Sequence, residues 1–210
     1  GIDDDGNGYA DDFVGWNFYT GDGSQVNNPD GAYVNGHGTH VTGIAAGRTN
    51  NSLGIASISW NLKFMPTKHG VNIMIWPPGI IYNAYDGIIY LAEMGCDIIN
   101  CSWGGDAYSR SDYEVLQYAE SLGSIIVAAA GNSDSPFPLF YPSCYPGVLS
   151  VASVDNSDLK SSFSNYGMGI DVCAPGGPVY STITESNYAY GWGTSMASPV
   201  VSGLLGLMKS

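Results

Sequence analysis

The chain is predicted to fold as an α/β domain, with a mostly parallel sheet flanked by helices on both faces. Short, largely apolar runs at 97–101, 124–130 and 148–154 have the length and composition of buried strands. Segments with apolar residues at helical spacing alternate with these runs along the chain. Alternating strands and helices form a parallel sheet that is covered on both faces.

Helices are predicted where apolar residues recur at every third or fourth position and where a cap or a glycine marks an end. Ser111 and Glu114 have the spacing of a capping box for a helix that runs through Leu122. The other predicted elements are a strand at 13–18, a helix over 41–46 that ends at Gly47, a strand at 62–67, a helix from Ile81 through Ala92 that ends before Gly95, and a last helix after Ser195.

Composition and charge limit the function classes. The 210 residues suffice for one domain with a substantial core, and the formal net charge is −13. So acidic a chain is a poor match for nucleic acid or for an anionic membrane surface. No apolar run reaches the roughly 18 residues of a membrane span. We therefore predict no nucleic-acid partner and no membrane partner.

The motif at residues 193–199, Gly-Thr-Ser-Met-Ala-Ser-Pro, has the pattern of an exposed nucleophile ahead of a buried helix. Gly193 permits close approach of another backbone, and Ser195 is expected to cap the helix, at the positive end of its dipole. Pro199 is tolerated because it lies near the helix start. Taken alone, the motif also fits an ordinary N-cap serine.

A nucleophilic serine needs a base, and the chain has three histidines to supply one: His37, His40 and His69. Two of them lie in the motif at residues 36–43, Gly-His-Gly-Thr-His-Val-Thr-Gly. A metal pair formed by His37 and His40 is the weaker interpretation, because no third ligand stands nearby in sequence. His40 is interpreted as a helix residue that is satisfied by local contacts.

These two motifs, together with Ala-Ala-Gly-Asn at residues 129–132, resemble the signatures of the subtilisin-like serine proteases (subtilases) and occur in the family's order. The resemblance implies a subtilisin-like three-layer fold. It also implies that Ser195 is the nucleophile, that His37 is the general base, and that Asn132 donates to the oxyanion beside the Ser195 N–H. On this reading, residues 1–210 form a single, incomplete catalytic domain.

The resemblance further implies two backbone segments that hold an extended peptide or protein substrate. Trp103 stands where the family often has a smaller apolar residue. Secretion and a monomeric state are likewise expected from the family and not from composition. The segments are Ser102, Trp103 and Gly104, and Ala129, Ala130 and Gly131.

The family's orienting aspartate has no counterpart here. It is expected in an Asp-Ser/Thr-Gly motif ahead of the histidine, and no such motif precedes His37. We therefore expect the chain to be a fragment that lacks this strand, and to be nearly inactive on peptides by itself. The remaining alternative is a non-catalytic, peptide-binding remnant of the same fold.

Residues 1–36 are polar, acidic and rich in glycine, and they begin with the first half of a calcium-loop pattern. Oxygen ligands at alternate positions suit a hard cation, and the glycine at position 8 allows a sharp turn. A solvated acidic turn without metal stays an alternative. No cofactor is expected for the chemistry. The predicted ligands of this structural calcium are Asp3, Asp5, Asn7, Tyr9 and Asp11.

The cysteines favour free thiols, with a bridge to Cys144 left open. Cys96 and Cys101 bracket a predicted strand on opposite faces and so are poorly placed to pair. Cys101 and Cys173 lie in apolar runs and are interpreted as small core residues.

Two other hydrolase classes are excluded. Gly193, Ser195 and Ala197 come close to a G-x-S-x-G elbow, but that class places its histidine after the serine, and no histidine follows His69. A chymotrypsin-like protease would be all-β, which the helical spacings oppose.

Overall fold

A four-stranded parallel sheet organises the protein. The computed structural model describes residues 3, 6–10, 12, 14–19, 21, 36–70, 81–136 and 139–210. In chain order the elements are β1 (Trp16–Asn17), α1 (His37–Ala46), β2 (Thr67–Lys68), α2 (Ala84–Glu93), β3 (Ile98–Cys101), α3 (Arg110–Ser121), β4 (Ile125–Ala129), β5 (Leu149–Val154), β6 (Val172–Pro175), β7 (Val179–Ile183), β8 (Asn187–Gly191) and α4 (Thr194–Lys209).

The sheet has the order β3-β4-β5-β6, and all of its pairs are parallel. Helix α4 packs across one face and contacts α1, while α2 and α3 pack together on the other face. The predicted three-layer α/β fold is thereby confirmed. The described helices include none that is long and apolar enough to cross a membrane.

The early strands are shorter than predicted. The runs at 13–18 and 62–67 yield only the two-residue strands β1 and β2, which pair with each other and not with the main sheet. A strand persists only where a neighbour satisfies its backbone groups, so these runs end where that pairing ends. Phe13, the first residue of the predicted strand, lies outside the described residues.

Two helix caps differ from the prediction. Helix α3 is capped by Ser109, whose hydroxyl accepts from the Asp112 N–H at 3.2 Å, and Glu114 bonds to the Arg110 side chain instead. The predicted cap, Ser111, is therefore wrong. Helix α4 is capped by Gly193, so Ser195 lies within the first helical turn and is not the cap. Helix α1 begins at His37, four residues before the predicted start.

The antiparallel hairpin of β7 and β8 was not predicted. Its turn contains Glu185 and Ser186 with φ of 59° and 57°, a left-handed pair without the glycine that usually marks such turns.

All four cysteines are free thiols, as favoured by the sequence. Cys101 is buried, but the prediction of a core position for Cys173 is wrong. Strand β6 is the last strand of the sheet and alternates, with Ala174 turned into the core and Cys173 exposed.

Candidate active site

Ser195 lies in the first turn of α4. This helix begins beside the ends of strands β3 and β4. Gly193, with φ of 138°, turns the chain into the helix in a conformation that favours glycine. Ser195 is partly exposed, whereas Met196 and Ala197 behind it are buried. In this conformation the Ser195 hydroxyl donates to the carbonyl oxygen of Ser102 at 3.1 Å.

A buried polar network joins α4 to β3. The hydroxyls of Ser198 and Ser202 donate to Asn100 Oδ1 at 2.8 and 3.0 Å. Asn100 Nδ2 donates to Ser102 Oγ at 2.9 Å, and Ser102 Oγ donates to the carbonyl of Ser195 at 2.8 Å. Ser102 thus bonds to Ser195 twice, through its side-chain hydroxyl and through its main-chain carbonyl. These two bonds fix the position of the first turn of α4 relative to β3. Asn100 was not predicted from the sequence, where the available signal was an amide side chain inside an otherwise apolar strand.

Asn132 is held against the start of the same helix. Its Oδ1 accepts from both the N–H and the hydroxyl of Thr194, at 2.8 and 3.0 Å. The Thr194 hydroxyl in turn accepts from the N–H of Gly131 at 3.0 Å. With Oδ1 so engaged, Nδ2 is the atom left to donate; it lies 3.4 Å from where a side chain on Gly193 would begin. A Cβ there would only touch this amide at an ordinary van der Waals distance, so it is the φ of 138°, and not lack of space, that favours glycine at this position.

His37 is the first residue of α1 and is exposed. Desolvation by its surroundings lowers the pKa of His37 below its ordinary value, and the charge of His40 lowers it further. Helix α1 packs against α4, which carries Ser195, and against β7. A neutral imidazole at the start of a helix that contacts the helix of Ser195 is suited to accept a proton.

His40 has a structural environment. It is buried, its Nε2 lies 3.1 Å from the carbonyl oxygen of Ala189, and its own carbonyl accepts from the Ser181 hydroxyl at 2.8 Å. The prediction that His40 is a helix residue is confirmed, but the prediction that local contacts satisfy it is wrong, because its contacts come from the hairpin and Nδ1 has no hydrogen-bond partner. Within the described ranges, no group of three or more His, Cys, Asp or Glu side chains is arranged to hold a metal ion.

The two predicted substrate segments differ in accessibility. After Ser102, Gly104 is exposed, and Trp103 is half-buried with its ring edge-on to Tyr85, the centroids 5.4 Å apart. Residues 129–131 are buried. Asn165 bonds to this segment through Nδ2 to the Ala130 carbonyl at 2.7 Å and through its N–H to the Gly131 carbonyl at 3.0 Å. The first segment is therefore the more open edge for an extended peptide.

In the acidic loop, Asp3 accepts several main-chain hydrogen bonds. Its carboxylate accepts from the N–H groups of Gly6, Asn7 and Gly8 at 2.8, 3.1 and 2.8 Å. Asn7 Oδ1 accepts from the N–H of Tyr9 at 2.8 Å. The two side chains supply carboxylate and amide oxygens, the ligand types that a hard cation prefers. Of the remaining predicted ligands, Asp5 and Asp11 lie outside the described residues.

The geometry therefore brings Ser102 and Asn132 to the start of α4, where Ser102 bonds to Ser195 and Asn132 bonds to Thr194, and places His37 on the adjacent helix.

Comparisons with known proteins agree with the family resemblance of the sequence motifs. Residues 5–210 match the subtilase family. The chain is 43% identical over 188 residues to a thermophilic serine proteinase of Bacillus sp. (strain AK1), covering 88% of this chain and 45% of that protein. It is 41% identical over 196 residues to thermitase of Thermoactinomyces vulgaris, covering 93% of this chain and 67% of thermitase.

Solved structures give a similar result. A cold-adapted subtilisin-like serine proteinase superposes with a TM-score of 0.75 at 28% identity, covering 92% of this chain and 66% of that structure. A protease from Pseudoalteromonas arctica gives 0.73 at 34% identity, covering 82% and 58%. The chain thus spans from about half to two thirds of the length of the relatives it matches.

Proposed function

The chain belongs to the subtilase family, and from that premise we propose that its activity is that of a serine endopeptidase. The Ser195 hydroxyl oxygen attacks the carbonyl carbon of a peptide bond, while His37 accepts the hydroxyl proton. His37 then gives that proton to the leaving amine as the C–N bond breaks. Water then attacks the acyl carbon while His37 accepts a proton from it, and as the C–O bond to Ser195 breaks, His37 returns that proton to the Ser195 oxygen.

One observation carries the proposal: both Asn132 acceptor bonds go to Thr194, the residue immediately before Ser195. This supports a fixed amide that donates from Nδ2 to the oxyanion, together with the Ser195 N–H at the helix start. Donors that are already in place need no reorganisation when the charge develops.

Labelling by a fluorophosphonate tests the proposal, because only an activated serine reacts quickly. We expect a single adduct, which mass spectrometry maps to Ser195. The adduct should be absent from the Ser195→Ala variant and strongly reduced in the His37→Ala variant. Labelling of several serines at similar rates, or equal labelling in the His37→Ala variant, contradicts it.

Hydrolysis by this chain alone is proposed to be slow, because no Asp-Ser/Thr-Gly motif precedes His37. Loss of the orienting aspartate costs about 3 × 10⁴ in kcat in subtilisin, a member of this family. The same feature favours the second candidate, a peptide-binding protein of this fold that does not cut. Rapid cleavage of a chromogenic tetrapeptide that requires Ser195 would contradict the slow rate; tight peptide binding without any labelling would favour the second candidate.

The same proposal includes four further properties: calcium binding, secretion, a monomeric state and an extended peptide or protein substrate. One similar protein, from Natrialba magadii, is described as a halolysin-like extracellular serine protease, which supports secretion. The carboxylate of Asp3 and the amide oxygen of Asn7 are ligand types that suit calcium and support the proposal, with Asp5, Asp11 and the Tyr9 carbonyl completing the set. Calcium would stabilise the folded loop. Millimolar Ca²⁺ should raise the melting temperature relative to a chelator, and should not do so in the Asp3→Ala variant.

A further inference from the structure

The hairpin of β7 and β8 exposes an unusual number of aromatic side chains. Tyr180, Tyr188 and Tyr190 are 47%, 36% and 59% exposed, and Trp192, just after β8, is 64% exposed. We refer to these four side chains as the aromatic strip. Large apolar groups that stay in water next to a site often mark a contact surface.

The three tyrosines share one face of the hairpin. Tyr180 pairs directly with Tyr190, and their ring centroids are 4.9 Å apart. Tyr188 stacks on Tyr180 at 5.8 Å with 24° between the ring planes. Because side chains alternate along a strand, Trp192 continues the series of Tyr188 and Tyr190.

The opposite face of the hairpin packs on α1, and three small residues on that face lie next to His40. Gly191 lies against the His40 ring, the Ala189 carbonyl meets His40 Nε2 at 3.1 Å, and the Ser181 hydroxyl donates to the His40 carbonyl. The hairpin is therefore anchored from behind. On its aromatic face Tyr188 lies against Gly54, while Tyr180 and Tyr190 are the more exposed rings.

Cross-strand pairing explains why some side chains of the aromatic strip are aromatic, but it does not explain Trp192. A Tyr180–Tyr190 pair stabilises a two-stranded sheet by itself. Trp192 lies beyond the strand pairing and is the most exposed of the four. It stands three residues before Ser195, which limits the separation of their Cα atoms to about 11 Å.

Charge indicates what the aromatic strip contacts. Residues 176–193 contain one acidic residue, Glu185, and no Lys or Arg, in a chain of net charge −13. The faces of Tyr and Trp rings attract cations, and an acidic protein strengthens that attraction. The same surface chemistry occurs within this chain, where Lys160 lies over the Tyr166 ring at 4.9 Å from its centroid.

We propose that the aromatic strip binds Lys and Arg side chains of the polypeptide substrate, so that the protein prefers substrates with a basic segment next to the bond at Ser195. This inference rests on the proposed function, because it names the substrate chemistry of that site. Each stacked basic side chain is worth about a two- to five-fold gain in affinity at an exposed position.

Binding to the Ser195→Ala variant tests the proposal without requiring catalysis. Fluorescently labelled peptides of one length carry two Arg, two Gln or two Glu at the same positions, and their affinities are read by fluorescence anisotropy. We expect the Arg peptide to bind about 4- to 25-fold more tightly than the Gln peptide, which corresponds to two stacked side chains. The Glu peptide should bind most weakly.

Substitutions separate the aromatic strip from general attraction. Adding Tyr190→Thr or Trp192→Thr should reduce the Arg-over-Gln preference about two- to five-fold each, while Tyr190→Phe, which keeps the ring, should retain it. Tyr118→Gln is the matched control, because Tyr118 is 42% exposed on α3, on the other side of the sheet. Circular dichroism confirms that each variant is folded.

Three results would overturn the proposal. The first is an unchanged preference in the Tyr190→Thr and Trp192→Thr variants, and the second is a preference that disappears entirely at high salt. Either would indicate general attraction to an acidic protein. The third is binding of a neutral oligosaccharide that is lost in the same two variants. Absence of Ser195 labelling removes the proposed protease activity and leaves the binding result intact, so the two failures are distinguishable.

Discussion

At the scale of single residues, Asn132 has two functions that one pair of substitutions separates. Its Oδ1 accepts from Thr194, and its Nδ2 is the proposed oxyanion donor. Asn132→Asp keeps the acceptor and replaces the donor by a negative charge, whereas Asn132→Ala removes both. We expect both variants to label at Ser195 about 10²–10³-fold more slowly, the loss known for such a donor in subtilisin.

The stability of the two variants should differ, although both should label slowly. Asn132→Ala leaves the Thr194 N–H and hydroxyl without their acceptor, which costs about 1–3 kcal/mol, and Asn132→Asp retains most of this. A free energy of unfolding measured by urea denaturation gives the comparison. If Asn132→Asp labelled as fast as the unsubstituted chain, the assignment of Nδ2 as oxyanion donor would be wrong.

The pH dependence of Ser195 labelling reports on His37. The imidazole accepts a proton only when neutral, and desolvation followed by the charge of His40 lowers the pKa of His37 below its ordinary value of 6.5. The neutral form therefore persists to more acidic pH. We expect a labelling rate that is constant above about pH 6.5 and falls with acid through a midpoint below that value. A midpoint above 6.5 would contradict this, and the His37→Ala variant should show no such midpoint.

Short sequence motifs were sufficient to predict much of the candidate site. The Gly-Thr-Ser and Ala-Ala-Gly-Asn motifs pointed to Ser195 and Asn132, and the structure bonds Asn132 to Thr194, the residue before Ser195. Asn100 was missed because a polar side chain inside a strand has no motif; its role appears only when α4 lies across β3. Cys173 was misplaced because an apolar neighbourhood does not reveal that a strand is the last of its sheet.

At the scale of elements, Gly43 lets α1 approach the hairpin. A Cβ added at Gly43 would collide with Thr182 Oγ1 and Ser181 Oγ, whereas one added at Gly38 on the same helix meets nothing within 4 Å. We expect Gly43→Ala to lower the free energy of unfolding by about 1–3 kcal/mol. Gly38→Ala is the matched control and should be neutral or stabilising by up to about 1 kcal/mol, because alanine favours helix.

Thermal denaturation of both variants checks this contact. Equal effects of the two substitutions would show that the helix responds to propensity alone and that α1 does not meet the hairpin as described.

The attachment of α4 to β3 depends on the Asn100 side chain, because two helix hydroxyls bond to its Oδ1. Asn100→Ala should cost about 1–3 kcal/mol in stability by stranding these buried groups. Ser202→Ala should cost less, since it removes the donor together with its requirement for a partner. Urea denaturation measures both, and a larger loss for Ser202→Ala would contradict this account of the network.

Element types were easier to predict from sequence than element ends. The apolar runs and helical spacings located α2, α3 and β3 to β5 to within a few residues. Ser109 and Ser111 compete for the same helix start, and only the packed structure shows that the Ser109 hydroxyl reaches the Asp112 N–H. The hairpin escaped prediction because its turn uses Glu185 and Ser186 in place of glycine.

At the scale of the whole molecule, the alternation of strands and helices was sufficient for the fold class, because buried parallel strands require cover on both faces. It could not specify that β1 and β2 form a separate pair, since strand pairing depends on distant segments. What the fold provides to the site is convergence: strands β3 and β4 end beside the start of α4, so Ser102 and Asn132 both reach the turn that holds Ser195.

That convergence is tested most directly by a crystal structure of the chain with a phosphonate bound to Ser195. The account predicts that the phosphonyl oxygen lies about 2.7–3.1 Å from both Asn132 Nδ2 and the Ser195 N–H nitrogen, with the His37 imidazole on the opposite side of the phosphorus. An oxygen that faces solvent, with Asn132 turned away from it or His37 remote from the adduct, would contradict the account.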